Sequence, residues 1–370
     1  MKRQRKPLGE LCTLVKGTSP ISKTLRGPYP LVTTGEVHKT ADSFQFEDEA
    51  VCIPLISSTG HGHASLKRVH YQTGKFALAN LLAAAFVKDR SALSAKFLAR
   101  YLMFSKDRLI VPLMTGAANM SISVDRLATV PIEFPPLAEQ EQIVKLLDEA
   151  DELRKLRTQA DRRSAALIPA LFHEMFGDPF TNSGGWQMQE LRQLGRVVTG
   201  GTPPSAKEGM FGGEIPFITP GDLESNTQET MRYVTEAGAN EARTVRAGST
   251  FVCCIGATIG KTDRAWKRSA FNQQINAIEW SGEVDDDFGV VCMKQSSKAV
   301  IQQGSQTALP ILKKSLFEQI RIPVPPLPLQ QEFAQRVAEI RALQAAQAAS
   351  RQRTEHLFQS MLHSAFNQAL

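Results

Sequence analysis

Cysteine is scarce and unpatterned in this chain: Cys12, Cys52, Cys253, Cys254 and Cys292 are odd in number, and no two stand in a Cys-x-x-Cys spacing. Most lie in apolar, strand-like runs such as Phe251-Val-Cys-Cys-Ile255, so buried reduced thiols are expected rather than a zinc or redox site. There is no apolar run of about eighteen residues, and the start Met1-Lys-Arg-Gln-Arg-Lys6 is basic without an apolar stretch behind it. Neither a membrane span nor a secretory signal is indicated, and a cytoplasmic location is expected. Catalytic signatures are missing as well. Neither Asn-Pro-Pro-Tyr nor Asp-Pro-Pro-Tyr occurs, so the chain lacks the signature of an amino-methyltransferase. No carboxylate-lysine nuclease cluster, helicase loop or Ser/His/Asp arrangement stands out.

What the chain does have is a plan written twice. Its 370 residues, 42% hydrophobic and 22% charged, are ordinary for a soluble protein of two or more domains. Pro135-Pro136-Leu137 returns 190 positions later as Pro325-Pro326-Leu327, and the register persists. Ile132 pairs with Ile322, Gln140 with Gln330, Leu153 with Leu343, Leu167 with Leu357 and Phe176 with Phe366. A register held for more than forty residues without a gap marks a duplication. Upstream the copies agree more loosely: Pro30-Leu-Val-Thr-Thr-Gly-Glu-Val37 aligns with Pro216-Phe-Ile-Thr-Pro-Gly-Asp-Leu223, and Gly17-Thr-Ser-Pro20 with Gly201-Thr-Pro-Pro204. The order is therefore variable, helical, variable, helical, with boundaries at 1–134, 135–178, 179–324 and 325–370.

Charge is spread unevenly over these segments. Residues 1–134 carry 18 Lys+Arg against 10 Asp+Glu, an excess of +8 that suits a surface neutralising phosphates. Residues 179–324 carry 15 of each sign. There the basic cluster Lys261, Arg264, Lys267 and Arg268 is offset by Asp285-Asp286-Asp287, which is expected to face away from any polyanion. Plain solvated surface charge is the alternative in both domains.

The helical segments carry a coiled-coil spacing. Ile143, Leu146, Ala150, Leu153 and, further on, Leu167 follow alternating steps of three and four, and Phe333, Val337, Ile340, Leu343 and Leu357 repeat the pattern. A Pro-Pro pair before each helix stops the preceding strand and opens the helix. Pro169 has no counterpart at Gln359, so a kink or restart is expected near the far end of the first helix. A helix of about forty residues spans roughly 55–60 Å. If the seams pack on each other, the second helix returns antiparallel and a pseudo-two-fold axis follows. Two recognition surfaces on such a spacer would touch a duplex at two separated places.

These residues resemble a known family. Pro135-Pro-Leu-Ala-Glu-Gln-Glu-Gln-Ile-Val144, its echo Pro325-Pro-Leu-Pro-Leu-Gln-Gln-Glu-Phe333, and Gly200-Gly-Thr-Pro-Pro204 followed by Ile215-Pro-Phe-Ile-Thr-Pro-Gly-Asp-Leu223 are similar to the specificity (S) subunit of type I restriction-modification systems. The resemblance spans almost the whole chain, with Gly17-Thr-Ser-Pro20 departing from it by lacking the double glycine. It implies two tandem α/β (α+β) target-recognition domains, each reading half of an asymmetric, interrupted DNA sequence, joined by an antiparallel coiled coil. It further implies double-stranded DNA, two methyltransferase (M) subunits and restriction (R) subunits as partners. The chain itself would be non-catalytic and bind no cofactor, with S-adenosylmethionine, ATP and Mg on the partner subunits. The rival reading is a coiled-coil adaptor whose globular domains bind protein.

Candidate DNA contacts are polar loop residues. In Ser57-Ser-Thr-Gly-His-Gly-His63, the hydroxyls of Ser57 and Ser58 and the imidazoles of His61 and His63 have the chemistry to reach phosphates or base edges, as do the following Lys67 and Arg68; an ordinary turn is the alternative. His61, His63 and His70 share no metal-ligand spacing. Asn119 and Ser121 precede the last strand of the first domain. In the second domain the candidates are Thr202 and Lys207, then Asn272, Gln273 and Gln274, whose amides suit adenine or a local turn. Gly256-Ala-Thr-Ile-Gly-Lys-Thr262 has three residues between its glycines where a nucleotide-binding loop has four. Thr258 and Lys261 are therefore read as DNA contacts or as parts of a plain hairpin turn, with ATP binding as the outcome that would revive an enzyme reading.

Overall fold

The computed structural model describes residues 3–57, 65–116, 120–224, 227–304 and 310–367, and divides into two compact units. The first is Met1–Arg157 with Ser350–Leu370, and the second is Thr158–Ala349.

In the first unit, strands Cys12–Lys16, Leu82–Val87, Ala50–Pro54 and His70–Gln72 form an antiparallel sheet in that order. The sequences Ala50-Val-Cys-Ile-Pro54 and Leu82-Ala-Ala-Ala-Phe-Val87 are apolar at nearly every position because both faces of this sheet are covered. Val51, Ile53, Ala83 and Ala85 point toward Phe97, Leu98 and Leu102 of helix Ala95–Leu109. Their neighbours Ala50, Cys52, Leu82 and Ala84 face a second sheet through Leu31, Phe76 and Leu78. That sheet has the order Lys39–Ala41, Tyr29–Val32, Lys75–Leu78, Phe46–Glu47, and its central pair is parallel. A separate ribbon, Gln4–Pro7 against Pro131–Phe134, closes the unit beside the Pro135-Pro136 pair.

The second unit repeats this topology strand for strand. Gly195–Thr199, Ile275–Trp280, Thr250–Cys253 and Thr262–Arg264 form the antiparallel sheet; Tyr233–Val234, Phe211–Ile218, Ser269–Phe271 and Thr244–Val245 form the other, again with a parallel centre. Helix Asp286–Gln295 covers the outer face with Phe288, Val291 and Cys292, and Met188–Glu190 pairs with Arg321–Pro323. All five cysteines are buried free thiols, and burial pushes Cys12, Cys52, Cys254 and Cys292 up to about 12.

Helices Leu137–Ala165 and Leu327–Asn367 begin at the two Pro-Pro-Leu sites. The first stops at Ala166 and restarts as Leu167–Phe176, with Pro169 in the new first turn, where its missing N–H costs no hydrogen bond. In the first unit Val144 and Leu147 share a core with Phe358 and Phe366, and the guanidinium of Arg154 lies 4.5 Å from the Phe358 ring. In the second, Phe172, Phe176, Phe288 and Phe333 form one aromatic cluster with centroids 4.9 to 6.5 Å apart.

The buried stripe departs from the expected seam. Phe333 and Val337 are fully buried, and Ile143, Ala150 and Ile340 are half-buried. Leu146, Leu153, Leu167, Leu343 and Leu357 are instead exposed by 42–61%. The residues facing inward are Val144 and Leu147 on the first helix and Gln344 and Phe358 on the second, one position along from the expected ones. Adjacent Leu146 and Leu147 allow two stripes with the same three-four spacing. Gln140 and Gln330, each completely buried, lie on the inward side at the helix entries and bond both to their own Pro-Pro carbonyls and to the segment before the covering helix, Ala92 and Ser94 or Glu283 and Asp285.

Candidate nucleic-acid interface

Strand registers place four connections at one end of each unit. In the first unit, Lys16 pairs with Ala83 and Pro54 with Leu82, so the chain after 16, the loop 55–69 and the turn 79–81 leave the antiparallel sheet at the same end. Val32 runs parallel to Leu78, and the Ala79 amide donates to the Val32 carbonyl at 3.0 Å, which adds the connection 33–38. In the second unit, Thr199 pairs with Asn276, Cys253 with Ile275 and Ile218 with Phe271. The corresponding connections there are the chain after 199, the turn 254–261, the turn 272–274 and the loop 219–232.

This arrangement gathers the polar residues that the sequence singles out. Ser57 anchors the base of its loop: its amide donates to the Met120 carbonyl at 2.8 Å, and its hydroxyl accepts from the Ser65 amide at 3.0 Å. Ser58, His61 and His63, together with Asn119, lie outside the described residues. Ser121 bridges to Ile56 and exchanges two backbone bonds with Thr115, so it shares this end. Lys67 is exposed, whereas Arg68 is half-buried and ion-paired with Glu36 at 2.6 Å. In the second unit the Thr202 hydroxyl donates to Gln273 Oε1 at 2.5 Å, tying two of the connections together. Lys207 reaches Glu241, 3.4 Å away, whose backbone carbonyl lies against Gly201.

Several of these groups are engaged in shaping the turns. The Asn272 amide donates to Gln274 Oε1 and its own oxygen accepts from the Gln274 backbone, both at 3.1 Å, which leaves Gln273 as the outward member of the three. Residues 254–261 form a hairpin turn with Gly256 and Gly260 at φ +92° and +90°, a conformation glycine adopts without strain. Thr258 Oγ1 sits 3.3 Å from Cys253 Sγ inside it, and Lys261 closes it through its amide on the Thr258 carbonyl.

Two sequence expectations are corrected. Gly17 corresponds to Gly200, not Gly201. A Cβ on either glycine would fall 2.2 Å from a carbonyl oxygen, of Ala79 and Asn272 respectively, and the two amides donate to Leu82 and Ile275. An added residue, Thr18, hides this in the alignment, because Ser19 makes the bond to Leu78 that Gly201 makes to Phe271. The basic cluster of the second domain is also no free patch. Arg264 pairs with Asp287 and Arg268 with Glu236, while Asp285 caps helix Asp286–Gln295 and Asp286 holds Arg246. The three aspartates are internal partners rather than a face turned away.

Other residues at this end carry no sequence signal of their own. Asn80 occupies in the first unit the place Gln273 has in the second, visible only once Leu78 and Phe271 are matched through their parallel strands. Arg243, at φ +66°, donates to the Thr199 carbonyl at 3.0 Å. His70 packs edge-on against His38 at 4.9 Å, at the start of the strand that follows loop 55–69. Burial, then the charges of His38 and Arg68, depress it to about 4 against the pull of backbone bonds to Thr33 and Gly35, so it is neutral at pH 7.

Comparison with known proteins accords with the duplicated architecture. The chain is 31% identical over 163 residues to the type I restriction enzyme HindI specificity subunit of Haemophilus influenzae, covering 42% of this chain and 35% of that protein. It is 25% identical over 253 residues to the putative type I restriction enzyme MjaX specificity subunit of Methanocaldococcus jannaschii, covering 64% and 59%. It thus spans between about a third and three-fifths of the length of these curated relatives. The fold matches the crystal structure of a type I restriction-modification S subunit from M. genitalium with a TM-score of 0.64 at 16% identity, over 99% of this chain and 96% of that one. A structure described as bearing on complex assembly and conformational transition of the type I R-M system matches at 0.63, also at 16% identity, over 98% and 97%. The family model described as the type I restriction modification DNA specificity domain matches twice, over residues 2–161 and 183–348, and the chain belongs to that family.

Proposed function

We propose that this chain is the DNA-reading subunit of a type I restriction-modification complex and catalyses nothing itself. The observation that carries the reading is the recurrence, in two units of the same topology, of four connections at one end, presenting Lys67 and Ser121 in one unit and Thr202, Gln273 and Lys261 in the other. Each unit would read one half of an interrupted, asymmetric target through base edges, with phosphate contacts setting register. The two long helices would form an antiparallel coiled coil that spaces the halves around a pseudo-two-fold axis. Supporting this, the core that joins Val144 and Leu147 to Phe358 and Phe366, and the bond from Gln344 to the Ser164 carbonyl at 2.8 Å, pair rising numbers on one helix with falling numbers on the other.

Two methyltransferase subunits would dock on this scaffold, each over the adenine of its half-site, with restriction subunits added for cleavage. S-adenosylmethionine, ATP and Mg would be bound by those partners, in the cytoplasm. The test is a methylome. The chain co-expressed with its methyltransferase partner in a host lacking adenine methylation should create one bipartite, interrupted motif with a methylated adenine in each half. Absence of any interrupted adenine motif would sink the proposal.

A further inference from the structure

We infer that Val37 and Met231 are apolar base readers, one for each half-site, which enter a groove of the duplex and contact base edges directly. The inference rests on the DNA-reading function proposed above and adds to it the residues that discriminate bases without hydrogen bonds. Met231 and Val37, 94% and 83% exposed, are the two most exposed large apolar side chains among the described residues. They stand in different units, yet each lies on the connection that follows the first of the two parallel central strands of the second sheet, Tyr29–Val32 or Phe211–Ile218. The strand registers put both connections at the end where the polar loops gather.

Each side chain is held out by anchored neighbours. Beside Val37, Glu36 is fixed by Arg68 at 2.6 Å and His38 packs on His70; within the same turn the Gly35 amide bonds the Thr33 hydroxyl at 3.3 Å. Beside Met231, the Thr230 hydroxyl donates to Asp222 Oδ1 at 3.1 Å, and the Arg232 guanidinium lies over the Phe211 and Phe217 rings at 5.1 and 5.4 Å. Asp222 also accepts from the Thr219 amide and hydroxyl at 2.8 and 2.7 Å. Both apolar groups are thus flanked by residues whose side chains already have partners, which limits the local ordering left to offset on binding.

Around Met231 the surroundings favour base edges over the phosphate backbone as the target. Loop 219–232 carries exposed Glu224 and Glu229, which phosphates would repel, while carboxylates accept from cytosine amino groups and apolar side chains contact thymine methyls or wedge against a base step. A protein-binding patch would present neighbouring apolar side chains together; here each is flanked along the chain by polar residues, Glu36 and His38 or Thr230 and Arg232.

The experiment compares methylomes of the full chain, co-expressed with its methyltransferase partner, for wild type, Val37→Ser and Met231→Ser. Both positions are open, so the variants should melt within about 1 °C of wild type and assemble normally. Each variant should reduce fractional methylation at least about fivefold, or relax one base position, with the altered specificity confined to one half of the motif. The affected half should differ between the two variants, and Met231→Leu should retain wild-type specificity. Unchanged motif and occupancy in both serine variants would overturn the inference, as would equal relaxation of both halves by a single variant. A wild-type chain that produced no interrupted adenine motif would instead remove the underlying function.

Discussion

Gln140 and Gln330 show how much one residue position can decide. Each is completely buried and makes the same three bonds. Its oxygen accepts from the first amide before the covering helix, of Ser94 or Asp285, at 2.9 Å. Its nitrogen donates to the Pro135 or Pro325 carbonyl at 2.7 and 2.8 Å, and to Ala92 or Glu283 at 2.8 and 3.1 Å. The sequence repeat marks the pair, but a glutamine in a Gln-rich helix reads as surface, and only the closure of the fold makes it a latch. Gln140→Leu or Gln330→Leu would strand one amide and two carbonyls in the core, at a cost of about 2–3 kcal/mol. In a unit of this size that is roughly 4–12 °C in Tm. A thermal melt changing by less than about 1 °C for either variant would show that the latch is not what orients the helix.

At the scale of elements, the two copies use the same contact with opposite charge. Arg100 of helix Ala95–Leu109 holds Asp148 at 2.6 Å and also Asp151, while Asp287 of helix Asp286–Gln295 holds Arg341 and Arg264. Asp151 and Arg341 are 190 positions apart, the same place in the repeat with the sign reversed. Burial works to raise Asp287, but its bonds from Arg264 and Arg341 and their charges outweigh it, and its carboxyl sits below the ordinary carboxylate value. Each domain is thereby matched to its own helix. Asp151→Arg should face Arg100 with a like charge and lower stability by about 1–2 kcal/mol, these groups being only partly screened by solvent. Adding Arg100→Asp should recover at least half of that loss. A double-mutant cycle with no coupling between the two positions would dismiss the matched charge.

The helices were readable as helices because a three-four spacing survives in any register, and Pro169 marked the restart after Ala166. Which stripe turns inward was not readable. Leu146-Leu147 serves either choice, and the deciding contacts come from residues more than forty positions away, such as Ala92 to Gln140.

For the whole molecule, what the sequence made legible was the duplication, since the Pro-Pro-Leu sites keep their spacing while the loops between them drift. The chemistry of those loops was legible only as residue type. Lys261 and Lys67 both carry a cation, but pairing of Arg68 with Glu36, Arg264 with Asp287 and Arg268 with Glu236 removes bases that a charge count includes. Bases in excess of acids, which no internal pairing can neutralise, lie in the first half, where residues 1–134 hold 18 Lys+Arg against 10 Asp+Glu. Binding of the assembled complex to a random-sequence duplex should therefore weaken linearly in log Kd with log salt, with a slope of about 0.9 per phosphate neutralised. Exposed Lys16 and Lys67 stand at the reading end of the first unit. Lys16→Gln and Lys67→Gln should each reduce that slope by about one, and weaken binding alike for every sequence. A protein-binding adaptor would behave otherwise, with duplex affinity weak and nearly flat in salt. A slope near zero for the wild-type complex would favour that rival, whereas a steep slope untouched by both substitutions would keep the DNA reading and move the phosphate grip away from this end of the first unit.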